Sequence, residues 1–341
     1  MSRRPRRLCD GGSPSADMTM RTELQTMLTQ RVRYRLLRLR WKVGGQPWVA
    51  AAAYMLPNCF HALVHRRGPE ASSPSGSPRG RVAACLRFRD EARFLEEWLE
   101  YHIAAGVDHF FLYNNFSEDN YQEVLRRYQE RGQVTLIDWP RKPVSPGAEH
   151  DCIARAVGRF EWVGFIDADE FVVVRDHRSI PEFLDDFGDV PAVALHQYYY
   201  GSNGHEKRPQ DWVVRAYTRR AAEPDRHFKV FVRPEQVTRN RNSHNFYYLR
   251  ARCAVREDGR RVYASRASPP STERAWINHY VHKSLEDYLE KGARGSALDL
   301  VGIRAPARQQ ARAQAAMTAD NDVVDLGAID YFQARRQLLS E

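Results

Sequence analysis

The sequence predicts an α/β domain with a mainly parallel central sheet and helices on both faces of that sheet. From residue 81 onward, short apolar strand patterns alternate with helical patterns at short intervals, which is typical of sheets built from strand–helix units. Polar residues directly follow three of the predicted strands. Because ligands of such sheets bind beyond the carboxyl ends of the strands, these residues predict a binding site at one edge of the sheet.

Hydrophobic spacing defines the individual elements. Short apolar runs predict strands, and apolar residues three and four positions apart predict helices. The first predicted helix, for example, carries Phe94, Leu95, Trp98 and Leu99 on one face. In chain order, the sequence predicts a strand over 82–88, a helix over 91–105, a strand over 107–113, a helix over 119–131, a strand over 134–139, a helix over 148–157 and a strand over 162–166.

Turn and cap residues support these boundaries. Asn114-Asn115 predicts a turn after the second strand, since asparagine favours turns. Gly132 predicts the end of the second helix, because glycine is the usual residue after a helix. Pro140 ends the third strand, since proline has no N–H to give to a sheet.

The fourth predicted strand ends on Asp167-Ala168-Asp169. Side chains alternate along a strand, so the two aspartates are expected on the same face. Two close carboxylates in poorly solvated surroundings need a cation, and Mg²⁺ or Mn²⁺ is commonly held by one or two carboxylates plus substrate phosphates. The alternative is a turn with two solvated acids. The apolar flanks 165–166 and 171–174 favour the metal site.

Three polar clusters at strand ends outline a nucleotide site. Arg89, Asp90 and Glu91 follow the first strand and Asn115 follows the second, so these four are candidate nucleotide-binding residues. No Gly-x-Gly-x-x-Gly or Gly-x₄-Gly-Lys-Ser/Thr motif joins a predicted strand to a helix. This argues against a Rossmann dehydrogenase and a P-loop NTPase. A metal on the aspartate pair would meet the phosphate charge instead.

The positive charge of the chain is concentrated near its N-terminus. Residues 1–80 hold 14 Lys/Arg and four Asp/Glu, a charge of +10, whereas the net charge of the whole chain is +9. The remainder is therefore close to neutral, which argues against nucleic acid as a partner.

The five cysteines are scattered and form no Cys-x₂-Cys pair, so neither a zinc site nor a disulfide framework is indicated. Only six of the 52 basic residues are lysines.

The first 80 residues predict an extension that brings the protein to a membrane. Residues 1–17 have a composition typical of disorder, and 20–43 form a basic amphipathic pattern typical of helices on anionic membrane surfaces. The apolar stretch 48–64 is at the lower limit of what spans a bilayer. We therefore expect a cytoplasmic protein that is peripheral at the membrane through residues 20–64, with a single-pass span or an ordinary docking helix as alternatives.

Several segments resemble glycosyltransferase family 92 and its relatives in the family 2-like group. They occur in order and with similar spacing across about 81–295. The matching segments are 87–102 (RFRDEARFLEEWLEYH), 106–117 (GVDHFFLYNNFS), 167–171 (DADEF), 229–234 (KVFVRP) and 278–284 (NHYVHKS). Arg89-Asp90 stands where that family usually has Lys-Asn.

The resemblance implies a GT-A fold, a nucleotide-sugar donor, a glycan or glycolipid acceptor and Mn²⁺ or Mg²⁺. Galactosyl transfer is known in family 92. Asp169 would ligate the metal, and Asp167 would ligate it or hold the ribose. His279 resembles the late histidine that completes the metal shell in many GT-A enzymes, although a buried core histidine is the alternative.

Lysines and loop acids supply the remaining candidates. Lys283, four residues after His279, would reach the diphosphate if both lay on one helix face, and Lys229 and His244 are further candidates for donor contacts. The implied chemistry inverts the sugar, which requires a base for the acceptor hydroxyl. In the loop over 200–211 that follows a further strand, Glu206 and Asp211 are the candidate bases, with ordinary solvated acids as the alternative.

Two other functions fit part of the pattern. A haloacid dehalogenase-type phosphatase also ends a strand on Asp-x-Asp, but its motif lies near the start of its domain and is followed by Thr or Val rather than by Glu170. A non-catalytic protein that binds nucleotide sugars or glycans would have the same binding site but would not transfer the sugar.

The predicted organisation is an extension over 1–80, the catalytic domain over 81–295 and a helical C-terminal tail over 296–341, with one helix near 305–317.

Overall fold

The computed structural model describes residues 80–141, 146–263, 265–294 and 306–340. All of them belong to one unit, Asn58–Glu341. The predicted amphipathic helix over 20–43 and the apolar stretch 48–64 lie outside the described residues. No helix within the described ranges is long and apolar enough to cross a membrane.

Strands and helices alternate through the first half of the domain. All seven elements predicted over 82–166 are confirmed, with each boundary within two residues of its predicted position. The elements are β1 (Gly80–Phe88), α1 (Ala92–Ala104), β2 (His109–Asn114), α2 (Tyr121–Glu130), β3 (Val134–Asp138), α3 (Gly147–Ala156), β4 (Phe160–Phe165), β5 (Glu170–Val174), α4 (Ile180–Leu184), β6 (Ala192–Tyr199), α5 (Val213–Ala216), β7 (Arg219–Arg220), β8 (Asp225–Val232), β9 (Val237–Asn242), β10 (Asn245–Tyr248), β11 (Val255–Arg256), β12 (Ala275–His279), α6 (Leu285–Arg294), α7 (Pro306–Thr318), β13 (Val323–Val324) and α8 (Gly327–Leu338).

The main sheet has the order β3-β2-β1-β4-β8-β6-β12-β5, with β11 beside β6. The β1–β2, β2–β3, β1–β4, β6–β12 and β6–β11 pairs are parallel. The pairs of β8 with β4 and β6, and of β5 with β12, are antiparallel. The predicted mainly parallel sheet is therefore confirmed.

This topology brings distant strand ends to one edge of the sheet. Phe88 at the end of β1 lies opposite Asn114 at the end of β2. Strand β8 runs antiparallel between β4 and β6, so β6 and β12 point the same way as β4. Strand β5 begins at this edge with Glu170 opposite His279, the last residue of β12. The edge therefore collects the ends of β1, β2, β4, β6 and β12 and the start of β5.

Hydrophobic side chains cover both faces of the sheet. On one face α1 buries Leu95, Trp98 and Leu99 in a core shared with α2, α4 and α8. On the other face α3 buries Cys152 and Ile153 against β1, β4 and β8. The predicted helices on both faces are thus confirmed.

The C-terminal segment packs on the same domain. Helix α7 agrees with the helix predicted near 305–317. Strand β13 pairs with β7. In α8, Tyr331 and Phe332 are buried, and the Phe332 ring stacks on Tyr101 of α1 with centroids 5.5 Å apart. The boundary that we drew at 295 stays a prediction.

Strand β8 lies very close to β4 at Gly164. Gly164 of β4 pairs with Phe231 of β8. A Cβ atom placed on Gly164 would lie 2.5 Å from Cε1 of Phe231. Real Cβ contacts are essentially never so short. The β8 strand carries Lys229, so this close approach also sets the position of a candidate site residue.

We expect Gly164→Ala to destabilise the protein by about 1–3 kcal/mol, because overpacking a close-packed core forces neighbours to shift. Urea unfolding measures the change. Adding Phe231→Leu removes the clashing ring edge, so the double variant should be more stable than the sum of the two single effects. Additive losses in the double variant would contradict the assigned contact.

Candidate active site

Asp167, Ala168 and Asp169 lie in a turn, not on a strand. Strand β4 ends at Phe165, and the N–H of Glu170 donates to the Asp167 carbonyl at 3.0 Å. The strand-periodicity argument for the pair is therefore wrong, because the chain leaves β4 there to enter β5, which pairs with β12 instead. The turn is not simply solvated, since the Asp169 side chain is only 7% exposed, although that of Asp167 is 39% exposed.

Two cationic side chains hold Asp167. The Lys229 ammonium lies 2.5 Å from Asp167 Oδ2 and 3.2 Å from Glu170 Oε2. The Arg87 guanidinium lies 3.6 Å from Asp167 Oδ1 and also contacts buried Glu149 at 3.3 Å. Burial alone would raise the pKa of Asp167, but Lys229 and Arg87 hold that pKa below its ordinary value. The Asp167 carboxylate is therefore ionised and paired.

Three positive or protonatable groups surround Asp169. The Lys291 ammonium lies 2.6 Å from Oδ2, the Lys283 ammonium lies 3.6 Å from the same oxygen, and His279 Nε2 lies 3.5 Å from Oδ1. Burial would raise the pKa of Asp169, but the two lysines hold it well below its ordinary value. The predicted approach of His279 to the aspartates, more than 100 residues away in the chain, is thus present in the structure.

The orientation of the His279 ring suits a metal ligand. Its Nδ1 lies 2.7 Å from Gln197 Oε1. A glutamine carbonyl oxygen can only accept, so Nδ1 donates to it and Nε2 is the ring nitrogen that faces Asp169 Oδ1. In the neutral ring Nε2 would offer its lone pair to a cation held between it and the carboxylate. A second partner that fixes the tautomer of a histidine is also the usual arrangement at metal sites.

Asp169 and His279 fit a divalent cation as two protein ligands. Carboxylate donors suit Mg²⁺ and Mn²⁺, imidazole is a common ligand of divalent transition metals, and substrate phosphates commonly supply further ligands to such ions. Across the described residues, no group of three or more His, Cys, Asp or Glu side chains is arranged to hold a metal by itself. Asp167 is occupied by Lys229 and Arg87, so its predicted role as a ligand stays a prediction.

Lys283 reaches the site by a different route from the predicted one. Residues 280–284 are not helical, and α6 begins only at Leu285. Lys283 has a φ of +53°, a backbone conformation that is uncommon for residues other than glycine. Its ammonium donates to the Tyr280 carbonyl at 3.2 Å. The helical-face argument was therefore wrong, although the residue does approach Asp169.

The other nucleotide-binding candidates line the same edge. Asp90 accepts the Glu118 N–H at 2.7 Å and its own N–H donates to Ser117 Oγ, which joins the ends of β1 and β2. Arg89 lies 3.6 Å from Asp90. Asn115 is buried, and its amide donates to two backbone carbonyls after β3. Their roles in binding stay predictions, and these contacts show that Asp90 and Asn115 also shape the edge.

The loop with Glu206 and Asp211 is fastened to α6. The N–H of Leu285 donates to the His205 carbonyl and the N–H of Glu286 donates to the Glu206 carbonyl. Both candidate bases are exposed, and Asp211 accepts the Trp212 N–H at 2.7 Å. The loop therefore borders the helix that carries Lys291. Which acid acts as the base stays a prediction.

His244 is half-buried against β8. Its Nδ1 lies 2.8 Å from the Phe228 carbonyl, so Nδ1 carries the proton. Burial, with help from nearby Lys229, lowers the pKa of His244 to about 4. The ring is therefore neutral near pH 7, and its contact with donor stays a prediction.

The sequence reasoning missed Arg87, Glu170 and Lys291. No local pattern marks Arg87 or Lys291, because their partners Asp167 and Asp169 lie in a distant part of the chain. Glu170 follows the aspartate pair directly, but its contact with Lys229 depends on the pairing of distant strands. The scarcity of lysine was the available signal: three of the six lysines of the chain, Lys229, Lys283 and Lys291, contact this turn.

Glu97 connects α1 with the candidate acceptor loop. Its carboxylate is buried and accepts the N–H groups of Val213 and Val214 at 2.7 and 2.9 Å. Those N–H groups begin α5, two residues after Asp211. Burial raises the pKa of Glu97 from 4.5 to about 7, even though the two N–H donors act to lower it.

Comparison with known proteins gives one consistent result. The family model of glycosyltransferase family 92 matches residues 82–292. A family 92 protein of Oryza sativa subsp. japonica is 38% identical over 163 residues, which cover 46% of this chain and 27% of that protein. A galactan beta-1,4-galactosyltransferase of Arabidopsis thaliana is 26% identical over 162 residues, 42% of this chain and 32% of that protein. These matches thus cover about a third or less of each relative's length.

Among solved structures, a mannosyltransferase of Pyrobaculum calidifontis in complex with GDP-Man and Mn²⁺ is 19% identical to this chain. The match covers 49% of this chain and 47% of that one, with a TM-score of 0.29. This score is too low to support a common ligand.

The mainly parallel sheet, its acidic turn and the family match together define a glycosyltransferase domain of the GT-A type. The chain belongs to glycosyltransferase family 92, because the family model covers more than half of its residues. The resemblance noted from the sequence is confirmed, and the phosphatase alternative has no support.

We expect Glu97→Gln to change how stability depends on pH. A carboxyl group whose pKa is raised on folding loses stabilising proton binding as the pH rises from its unfolded pKa to its folded pKa. The wild-type free energy of unfolding should therefore contain a decline of about 3 kcal/mol between about pH 4.5 and pH 7 that is due to Glu97. The neutral Glu97→Gln variant should lack that decline in urea unfolding.

Glu96→Gln is the matched control, since Glu96 is the exposed neighbour on the same helix. It should keep the wild-type pH dependence. If Glu97→Gln kept the wild-type pH dependence, Glu97 would not have a raised pKa in the folded protein, and the prediction would be wrong.

Proposed function

We propose that this protein transfers a hexosyl group from a nucleotide-sugar donor to a hydroxyl of a glycan or glycolipid, with the help of Mn²⁺ or Mg²⁺. The observation that carries the proposal is the meeting of Asp169, His279, Lys283 and Lys291 at the carboxyl edge of the sheet. A UDP-sugar is the donor to test first. Galactose is the sugar to test first, because a relative is named a galactan beta-1,4-galactosyltransferase.

Charge on the leaving diphosphate dominates the barrier of such a transfer. A divalent cation, when bound, would neutralise part of that charge, and Asp169 and His279 would hold it. Lys283 and Lys291 supply further positive charge beside the same carboxylate. The Tyr280 carbonyl holds the Lys283 ammonium in place, and a cationic group already positioned beside developing charge lowers a barrier without reorganisation during the reaction.

On the acceptor side, inverting transfer needs a base within reach of the attacking hydroxyl. Glu206 and Asp211 are both exposed on the loop that borders α6. We propose that one of them takes the acceptor proton while the sugar anomeric carbon is attacked. Glu97 holds the end of this loop on α1 and so would keep it in position.

A second function has one observation in its favour. Lys229, Lys283 and Lys291 already pair with the two aspartates, so the acids are neutralised without a metal. A protein that binds nucleotide sugars or glycans without transferring them would need no more. Metal-dependent hydrolysis or transfer of a UDP-sugar separates the enzyme from this binder.

We also propose that residues 20–64 bring the domain to an anionic membrane surface. The support is the charge of +10 on residues 1–80 beside a nearly neutral remainder. Full-length protein should cosediment with vesicles of anionic lipid at low salt, and much less at high salt, because salt screens exposed charges. Protein that lacks residues 1–79 should stay in solution. Equal sedimentation of both forms would contradict the proposal.

We expect Asp169→Ala to abolish Mn²⁺-dependent binding of UDP and to lower transfer activity on the order of 10³-fold. His279→Ala should weaken Mn²⁺ binding roughly 10–100-fold. Asp167→Asn should have a smaller effect, because an amide oxygen can still ligate a hard ion. Isothermal titration with UDP and Mn²⁺ measures binding, and release of UDP measures activity.

Asp189→Ala is the control, since this exposed aspartate precedes β6 and so lies at the opposite edge of the sheet. It should leave binding and activity unchanged.

In the same assay, Glu206→Gln and Asp211→Asn identify the base. The variant that has lost the base should still bind UDP but should no longer transfer the sugar. Full UDP binding by Asp169→Ala in the presence of chelator would contradict the metal mechanism.

A further inference from the structure

Lysine is rare in this chain, but it is concentrated at the acidic turn. Only six of 52 basic residues are lysines, and three of those six contact Asp167 or Asp169. At nearly all other basic positions the chain has arginine, and one arginine, Arg87, also contacts Asp167. Arginine presents a broad planar group, whereas lysine presents a compact charge on a flexible stem. Around Asp169 the cations are lysines, which fit a narrow space and can change their position.

The three lysines differ in their freedom to move. Lys229 is 2% exposed between two carboxylates. Lys283 is 7% exposed, donates to a backbone carbonyl and lies 4.7 Å above the Phe94 ring. Lys291 is 48% exposed and reaches Asp169 Oδ2 from the surface of α6. Lys291 is thus the member of the set that can leave without opening the core.

Helix α6 itself is held firmly. Arg93 of α1 and Arg208 of the acceptor loop both form ion pairs with Asp287 and Glu290 on α6. Asp287 also accepts from Ser284 Oγ at 2.7 Å. Movement of Lys291 therefore requires only a change of its side-chain rotamer, not a displacement of the helix.

We propose that Lys291 is an exchangeable counter-ion: it holds Asp169 before the donor arrives, and it moves to the donor diphosphate when a divalent cation binds that carboxylate. The inference rests on the proposed function. Only the Lys291 end of this pair faces solvent, since its side chain is 48% exposed whereas that of Asp169 is 7% exposed. A divalent ion carries twice the charge of the ammonium, so it can displace the ammonium from Oδ2. Repulsion between the two cations then favours the move, and the diphosphate oxygens offer a new partner a short distance away.

The test separates the two positions of Lys291 with two probes. In Lys291→Met, Mn²⁺ alone should bind roughly tenfold more tightly, because a competing positive charge is removed from beside the divalent ion. With Mn²⁺ saturating, UDP should bind the same variant roughly tenfold more weakly, because a phosphate partner is lost. Mn²⁺ electron paramagnetic resonance and calorimetry with UDP measure the two affinities.

Lys207→Met is the matched control, since Lys207 is an exposed lysine of the neighbouring loop, and it should leave both affinities unchanged. Lys291→Arg should keep the weaker, wild-type Mn²⁺ affinity because it keeps the charge. An unchanged affinity for Mn²⁺, or for UDP, in Lys291→Met overturns the inference but leaves metal-dependent transfer standing. If neither wild type nor variant binds Mn²⁺, with or without UDP, the proposed function falls and the inference falls with it.

Discussion

The pairing of charge around one turn constrains much of this domain. Four carboxylates meet four cationic side chains at the carboxyl edge of the sheet. They are Glu149, Asp167, Asp169 and Glu170, with Arg87, Lys229, Lys283 and Lys291. A buried charge that loses its partner costs about 3–5 kcal/mol. The elements that carry these groups must therefore meet at this edge for the fold to be stable.

The mixed topology of the sheet follows from the same need. In an all-parallel sheet, only the carboxyl ends of strands would lie at the edge that carries the site. Because β8 is antiparallel and inserted between β4 and β6, it delivers Lys229 from within its own length to the acids that follow β4. Because β5 runs against β12, Glu170 starts opposite His279. The antiparallel strands thus bring groups to the edge that parallel strands could not supply.

Local patterns predicted the elements well, but not the site. The seven elements over 82–166 were predictable because each carries its own apolar period. The approach of His279 to Asp169 came from the resemblance to a family, since it depends on pairing between β5 and β12. Periodicity misassigned the aspartate pair and Lys283, which lie where regular structure ends. Lys291 and Glu97 have partners more than 100 residues away, and no local pattern encodes such contacts.

Charge balance also indicates how the proposed donor would be accommodated. The four acids and four cations leave this network close to neutral. A nucleotide-sugar diphosphate adds about two negative charges, and a divalent ion adds two positive ones. Either one alone would leave uncompensated charge in a poorly solvated place, whereas the two together preserve the balance. Binding of metal and donor should therefore be coupled, and each should strengthen the other to the same degree, as linkage requires. An exchangeable cation on Asp169 would strengthen this coupling, because the group displaced by the metal becomes a partner for the donor.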